Sequence, residues 1–281
     1  MSKTRLWSLL ALVIGLLATV AVAGCGSDDD STSSDSTSAS GDTADLGLIN
    51  EGTLTVGTDT PYPPFEIGQP PDISGFDIEL VNAIAEQIGV TPEYTDTSFD
   101  TIFRDTANGQ FDLAAAASTI TPARSKVVTF SNPYYEAQQA LVVAEGSDVA
   151  SVDDLAGKIV GAQDATTGET YANDETDASE VRGFPEGPDA IAAVATGQVD
   201  AAIIDQPVAV DAVEKQGGIE VVEEIPTDEL YGFAMPPDND ALHQAVNDAL
   251  VALNEDGTLA DLYEQYFQTD PPQSVLDANG G

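Results

Sequence analysis

Two charged side chains, Arg124 and Asp205, are the strongest candidates for binding a small charged molecule. Arg124 follows Thr121-Pro122, a pair typical of a helix start, where free backbone N–H groups and the helix dipole favour an anion. Its planar guanidinium could hold a carboxylate through two parallel hydrogen bonds. Asp205 ends the apolar run 200–204, from which its side chain could enter a cleft. The alternatives are a surface ion pair for Arg124 and a helix cap for Asp205.

Catalysis has less support in the sequence. General acid–base chemistry would need a histidine or carboxylate in a cleft. The only histidine, His243, falls in a polar helical stretch and is expected to face solvent. Asp59 and Asp205 could form an acid–base pair, but binding is the simpler role for each. The sequence has no Cys/His metal spacing and no phosphate-binding glycine loop, so we expect neither an enzyme nor a cofactor.

Short strand-like runs alternate with helical patterns and must position these residues. The clearest helix is Phe76–Ile88, where apolar residues recur at helical spacing before Gly89. Such alternation predicts an α/β architecture with mainly parallel sheets. The predicted strands are Thr53–Gly57, Phe111–Ala116, Ala140–Ala144, Lys158–Ala162 and Asp200–Ile204. The other predicted helices begin at Thr121-Pro122 and Thr167 or span Pro188–Thr196, Asp240–Asn254 and Leu259–Phe267.

Residues 1–24 have the pattern of a secretory signal peptide. Lys3 and Arg5 precede an apolar run, Leu6–Ala23, that ends in small residues before Cys25. A transmembrane helix is the alternative, but the flank after Cys25 is polar and has no basic residue to stop transfer. The junction resembles a bacterial lipobox, and Cys25 is the only cysteine. We therefore expect Cys25 to be lipidated and to anchor the chain.

Residues 25–48 are expected to form a disordered linker after the lipidated Cys25. Ser, Thr, Asp, Gly and Ala make up the stretch from Gly26 to Asp45, which cannot bury enough apolar surface to fold. The whole chain has 8 basic and 49 acidic residues, a net charge of -41. Such a surface repels nucleic acid and anionic lipid. The chain is expected to be extracytoplasmic, to touch the cell membrane only through its anchor, and to bind no nucleic acid.

Several motifs occur in an order that resembles the bacterial extracellular solute-binding proteins of family 3, the polar amino-acid receptors of ABC importers. The segment Gly75–Leu80, continuing to Ile88, is similar to the family signature. Val56–Phe65 resembles the family's first strand and binding loop. The resemblance spans about residues 49 to 270 and continues through Gly109–Asp112, Thr119–Arg124, Phe130–Tyr135, Leu155–Lys158 and Gly197–Ala202.

The resemblance implies a type II periplasmic-binding-protein fold, in which two α/β lobes close like a hinge on a ligand cleft. It places lobe 1 at 49–138 and 233–270, lobe 2 at 139–232, and a C-terminal tail at 271–281. The implied function is that of a monomeric receptor that carries a free L-amino acid to the permease of an ABC importer. Two alternatives stay open: a sensor that serves no importer, and an enzyme of the same fold, such as a cyclohexadienyl dehydratase or a murein lyase.

The resemblance also implies a role for the charged residues of the cleft. Arg124 would bind the α-carboxylate of the amino acid, and Asp205 its α-ammonium. The Thr119 hydroxyl could donate to the carboxylate or accept from the ammonium. The backbone N–H groups of Thr166 and Thr167 would close on the carboxylate from lobe 2, which would couple binding to closure.

The remaining implied contacts surround the ligand side chain: Tyr62, Phe99, Asp59, Gln163, Ala116 and Ala117. Tyr62 and Phe99 would sandwich its aliphatic stem, although an aromatic residue is more often part of a core. Asp59 matches an acid that contacts polar or cationic side chains in the family. No matched position supplies a second cation. We therefore expect a neutral polar or basic amino acid, and not glutamate or aspartate.

Overall fold

The structure is a computed structural model that describes residues 45–280. The expected signal peptide, the lipidation site Cys25, nearly all of the expected linker and Gly281 lie outside the described residues. Among the residues that are described, no helix combines the length and the apolar character needed to cross a membrane.

Strands and helices alternate along the described chain, as expected. The strands are β1 (Thr53–Thr58), β2 (Ile67–Gln69), β3 (Asp72–Ser74), β4 (Thr91–Asp96), β5 (Leu113–Ala114), β6 (Thr129–Phe130), β7 (Tyr135–Ala144), β8 (Ile159–Gln163), β9 (Glu180–Phe184), β10 (Ala201–Asp205), β11 (Ile219–Tyr231) and β12 (Ala234–Met235). The α-helices are α1 (Phe76–Ile88), α2 (Phe99–Ala107), α3 (Thr167–Glu175), α4 (Gly187–Ala195), α5 (Gln206–Lys215), α6 (Asp240–Glu255), α7 (Thr258–Phe267) and α8 (Gln273–Ala278). Two 3₁₀ turns span Arg124–Lys126 and Val152–Leu155.

Ten of these strands form two five-stranded sheets, one in each lobe, and β2 and β3 pair with each other as a separate antiparallel sheet. The sheet of lobe 1 has the order β4-β1-β5-β12-β6, and that of lobe 2 has the order β11-β7-β10-β8-β9. In lobe 1, β1 is parallel to β4 and β5, whereas β12 is antiparallel to β5 and β6. In lobe 2, β8 is parallel to β9 and β10, whereas β7 is antiparallel to β10 and β11.

The prediction of mainly parallel sheets is therefore wrong, because both sheets are mixed. The antiparallel pairs arise where the chain passes between the lobes. It enters lobe 2 along β7 and leaves along β11, and these two long strands pair from Tyr135↔Tyr231 to Ala144↔Ile219. We call β7 and β11 the crossing strands. The register between them shifts between Ile225 and Glu229. The residue boundaries expected for the lobes stay a prediction.

Helix α1 confirms the predicted helix Phe76–Ile88. Gly75 precedes its first residue and has a φ of 123°, which favours glycine; a Cβ at this position would collide with the Phe65 carbonyl oxygen. The N–H groups of Phe76 and Asp77 bond to the carbonyls of Pro64 and Phe65, at 3.0 and 3.2 Å. The start of α1 therefore fixes the proline-rich loop that follows β1.

Two local predictions are wrong. Only Leu113–Ala114 of the predicted strand Phe111–Ala116 pairs in a sheet, because the chain turns at Ala117, which has a φ of 43°. The helix predicted after Thr121-Pro122 is a single 3₁₀ turn, Arg124–Lys126, because the chain enters β6 at Thr129. One turn has no appreciable macrodipole, so the helix-dipole argument for an anion at Arg124 does not hold.

Candidate functional site

The cleft between the lobes is lined by all eleven residues that the sequence analysis singled out. Lobe 1 contributes Asp59, Tyr62, Phe99, Ala116, Ala117, Thr119 and Arg124, and lobe 2 contributes Gln163, Thr166, Thr167 and Asp205. Most follow the carboxyl ends of strands, where ligands bind to α/β sheets. Asp59 comes directly after β1, Gln163 ends β8 and Asp205 ends β10. The structure thus brings the predicted set together, while the role of each residue stays a prediction.

Arg124 reaches across the cleft from lobe 1. Its Nη1 donates to the carbonyl of Thr119 at 2.9 Å, and its Nη2 donates to the carbonyl of Ala165, in lobe 2, at 3.1 Å. The guanidinium carbon lies 5.0 Å from the ring centre of Phe99 and 4.7 Å from that of Phe103. A guanidinium has five N–H donors, so these two bonds leave donors for an anion. Among the described residues Arg124 makes no ion pair, contrary to the surface alternative.

Asp205 lines the same cleft as Arg124, on the side of lobe 2. Its Oδ2 accepts from the Tyr62 hydroxyl at 2.7 Å, and its Oδ1 accepts from the Gln139 amide at 2.5 Å. Its side chain makes no capping bond to α5, so the cap alternative is not what the structure shows. Burial, followed by the charge of Glu229, raises the pKa of Asp205 to about 6. A cation placed beside this carboxylate would favour its ionised form.

Tyr62 brings the lobes into direct contact. Its hydroxyl donates to Asp205 in lobe 2, and its ring packs on Gly187, the first residue of α4. A Cβ at Gly187 would lie 2.6 Å from the Tyr62 ring, so only glycine allows this approach. The predicted aromatic wall therefore also acts as a hydrogen-bond donor, which the sequence analysis did not foresee.

Asp59 lines the cleft at the carboxyl end of β1. Its Oδ2 accepts from the Gln163 amide at 2.6 Å, a bond from lobe 2 to lobe 1, and the same amide donates to the Pro185 carbonyl at 3.1 Å. Asp59 is 3% exposed, and its Oδ1 has no hydrogen-bond partner among the described residues. Burial, followed by the charge of Glu186, raises the pKa of Asp59 to about 7. A buried carboxylate with an unpaired oxygen is suited to a cationic or N–H-bearing group.

Glu229 and Gln139, on the crossing strands, were missed by the sequence analysis. Glu229 Oε2 accepts from the hydroxyls of Thr119 and Thr167, at 2.5 and 2.7 Å, and its Oε1 accepts from the Gln139 amide at 3.0 Å. Glu229 is 7% exposed. Nothing in the sequence marks one glutamate among 49 acidic residues, and Glu229 follows a register shift of β11 that the sequence does not predict.

A second pair of acids lies behind the cleft wall. Glu66 and Asp77 are fully buried, and Asp77 Oδ2 accepts from the Tyr134 hydroxyl at 2.7 Å and from the N–H of Ala117, in the cleft, at 3.0 Å. Neither oxygen of Glu66 has a donor partner among the described residues. Burial, and then the charge of Asp77, raises the pKa of Glu66 well above its usual value. A proton on Glu66 lets it donate to Asp77.

This pair predicts a stability that falls as pH rises. Because burial raises the Glu66 pKa, the folded protein holds a proton there that the unfolded chain releases above about pH 4.3, so the stabilisation present at low pH is lost as pH rises. Glu66→Gln supplies a permanent N–H donor to Asp77. In urea unfolding, we expect the free energy of unfolding of the wild type to fall more steeply than that of Glu66→Gln between about pH 5 and pH 7.5.

The control for this experiment is Glu86→Gln, an exposed acid on α1. It should reproduce the pH dependence of the wild type. Equal pH dependence in the wild type and in Glu66→Gln would show that Glu66 holds no proton in the folded state.

Comparisons with known proteins agree with the fold. The family model for bacterial extracellular solute-binding proteins, family 3, matches residues 54–269. The arginine-binding protein 1 of an Escherichia coli ABC transporter is 32% identical over 220 residues, covering 76% of this chain and 90% of that protein. The L-cystine-binding protein of Escherichia coli is 31% identical over 235 residues, covering 81% and 88%.

Solved structures support the same conclusion. An ancestral arginine-binding protein bound to arginine has a TM-score of 0.73 and 37% identity, covering 77% of this chain and 98% of that one. An amino-acid substrate-binding protein of Streptococcus pneumoniae, bound to L-arginine, has a TM-score of 0.73 and 34% identity, covering 83% and 98%. The two-lobed fold implied by the sequence motifs is confirmed, and the chain belongs to the bacterial extracellular solute-binding proteins of family 3.

Proposed function

We propose that this chain is the receptor of an ABC importer, which captures a free L-amino acid between its lobes and delivers it to a membrane permease. One observation carries the proposal. Arg124, in lobe 1, and Asp205, in lobe 2, place a guanidinium with unused donors and a buried carboxylate in the same cleft. An α-carboxylate and an α-ammonium would each find a partner there, without which burying them would cost several kcal/mol.

The charges of the cleft favour a basic amino acid. Arg124 is the one cation among the described lining residues, whereas Asp59 and Asp205 line the cleft and Glu229 bonds to two of its threonines. A zwitterion satisfies Arg124 and Asp205 and leaves Asp59 for the ligand side chain. An arginine or lysine side chain would neutralise Asp59. Three of the four relatives described above are bound to or named for arginine, which supports this choice.

A neutral polar amino acid is the second candidate, because of one contact. The Gln163 amide already donates to Asp59, so a ligand amide could complete the partners of Asp59 without adding charge. A second carboxylate on the ligand would instead face Asp59 with no cation nearby, so glutamate and aspartate are not proposed.

Attachment to the membrane through a lipidated Cys25 is also part of the proposal. Its support is the lipobox-like junction, the absence of other cysteines and the polar stretch that follows. The receptor is proposed to be a monomer held on the outer surface of the cell membrane, with the permease as its protein partner. The relatives described above are all named as binding proteins, which supports a binding role over catalysis.

Calorimetry with L-arginine, L-lysine, L-glutamine and L-glutamate at about pH 7.5 tests the proposed ligand class. Arginine or lysine should bind at least about tenfold more tightly than glutamine, since one buried charge pair contributes more than 1.4 kcal/mol. Glutamate should not bind measurably. Asp59→Asn should remove the preference for the basic ligands while leaving the affinity for glutamine within about threefold.

The matched control is Asp100→Asn, an exposed acid of lobe 1, which should leave the order of affinities unchanged. Tight binding of glutamate alone would overturn the proposed ligand class. Failure of every amino acid to bind would overturn the receptor function itself.

A further inference from the structure

Glu229 lies where the two lobes meet the crossing strands. It follows the register shift of β11, and the preceding residue, Asp228, has a φ of 48°. Its buried carboxylate accepts hydrogen bonds from Thr119 in lobe 1 and from Thr167 in lobe 2. It therefore joins one hydroxyl of each lobe through a single oxygen. Such a group can affect how both hydroxyls face a ligand.

The bonds to Glu229 decide what the two threonines can offer. A hydroxyl has one proton and two lone pairs. Because Thr119 and Thr167 donate their protons to Glu229, each can only accept from a ligand. Neither can then donate its hydroxyl proton to a carboxylate, which was one of the roles open to Thr119. The two oxygens are suited to N–H groups, such as those of an ammonium.

Gln139 extends this arrangement to Asp205. Its amide nitrogen donates to Asp205 Oδ1 at 2.5 Å and to Glu229 Oε1 at 3.0 Å. The same nitrogen lies 3.5 Å from the Thr167 hydroxyl oxygen. An amide nitrogen has two protons, so the two shorter bonds, to the carboxylates, use both. Asp205, Glu229 and the two threonine oxygens thus form one connected set of acceptors. Two buried negative charges in one set favour a cation beside them, because the charge of Glu229 also acts on Asp205.

We propose that Glu229 is a positioning residue that makes the cleft specific for a primary α-ammonium group. It does so by holding Thr119 and Thr167 as acceptors beside Asp205. Because these threonines belong to different lobes, the full set of acceptors forms only when the cleft is closed. This inference rests on the proposed function, since it concerns the amino group of the amino acid that the cleft is proposed to bind.

Ligands that differ only in the α-amino group test the inference. The probes are L-arginine with 5-guanidinovaleric acid, its deamino analogue, and L-lysine with 6-aminohexanoic acid. In Glu229→Gln only one of the two positions keeps an oxygen. If the amide nitrogen takes the Oε2 position, it donates to both hydroxyls and they can no longer donate there; if it takes the Oε1 position, it faces the donating amide of Gln139. We expect affinity for L-arginine and L-lysine to fall about tenfold to a hundredfold, while affinity for the deamino analogues changes less than about threefold.

Thr119→Val is the second variant. It removes one acceptor hydroxyl and leaves the Glu229 side chain itself unchanged. It should reduce the same discrimination between each amino acid and its deamino analogue. Glu224→Gln, an exposed acid of the same strand, is the control and should keep the wild-type discrimination. Melting temperatures show whether each variant is folded, and Thr119→Val decides the question if Glu229→Gln does not fold.

The outcomes separate this inference from the proposed function. If the wild type binds the amino acids and both variants keep the wild-type discrimination, Glu229 has no positioning role and the inference is wrong. An equal loss of affinity for the amino acids and for their deamino analogues would indicate a structural role for Glu229 and would also overturn the inference. A wild type that binds neither these probes nor L-glutamine contradicts the proposed function, and the inference with it.

Discussion

Arg124→Ala is expected to reduce the affinity for every amino acid about a hundredfold to a thousandfold or more. The guanidinium is the one cation among the described lining residues, so its loss leaves a buried α-carboxylate without a charged partner. Removing one partner of a buried charge pair typically costs about 3–5 kcal/mol. The variant also loses the bond to the Ala165 carbonyl, one of the contacts between the lobes. Calorimetry with L-arginine and L-lysine measures the loss.

Two further variants sharpen this prediction. Arg124→Lys should recover little, because an ammonium is a point charge and cannot make two parallel bonds to a carboxylate. Arg104→Ala, an exposed arginine of α2 that pairs with Asp105, should bind normally. Unchanged affinity in a folded Arg124→Ala protein would contradict the assignment of the carboxylate site.

Asp205→Asn is expected to weaken amino-acid binding about a hundredfold while leaving the protein as stable as the wild type or more stable. The ligand ammonium loses its ionised partner, which accounts for the loss of affinity. Stability responds differently because burial raises the pKa of Asp205 to about 6. A carboxyl with a raised pKa contributes stability below about pH 4, and this contribution is lost as pH rises through about 6. A neutral amide avoids that loss at pH 7.5.

Binding and unfolding must therefore be measured on the same protein, by calorimetry and by urea at about pH 7.5. Asp174→Asn, an exposed acid of α3 in lobe 2, is the control and should change neither quantity. A large drop in stability together with lost binding would indicate that Asp205 holds the fold together, and would contradict its assignment to the ammonium.

The sequence predicts those parts of the fold that depend on local patterns. Helix α1 is predicted to its exact residues because its apolar spacing and the glycines at both ends are local signals. The length of the turn after Thr121-Pro122 is not predicted from the sequence, because it depends on where β6 pairs with β12. The mixed sheets could not be predicted either, because strand direction depends on how the chain crosses between the lobes.

The candidate site divides in the same way. Arg124 and Asp59 are found from the sequence because they lie in recognisable motifs, and Asp205 because it ends an apolar strand. Glu229 and Gln139 are not, because their part in the site depends on the pairing of two strands distant in sequence, and polar residues are common in such strands. Contacts among the predicted residues, such as the bond from Tyr62 to Asp205, also require the relative placement of both lobes.

The order of the strands also sets how far each cleft residue lies from the crossing strands. Asp205 ends β10, next to β7, whereas Gln163 ends β8, one strand further out, and Asp59 follows β1, two strands from β12. With neighbouring strands about 4.8 Å apart, the Asp59–Gln163 contact lies about 10 Å from the crossing strands.

In a rigid rotation about the crossing strands, displacement grows with the length of the lever arm. Such a rotation would therefore separate Asp59 from Gln163 further than it separates the cleft residues nearer the crossing strands. The amino acid would be held at its charged backbone end while the far end of the cleft is still open, and its side chain would meet Asp59 only as the cleft shuts. Amino acids should then differ more in how fast they escape than in how fast they enter.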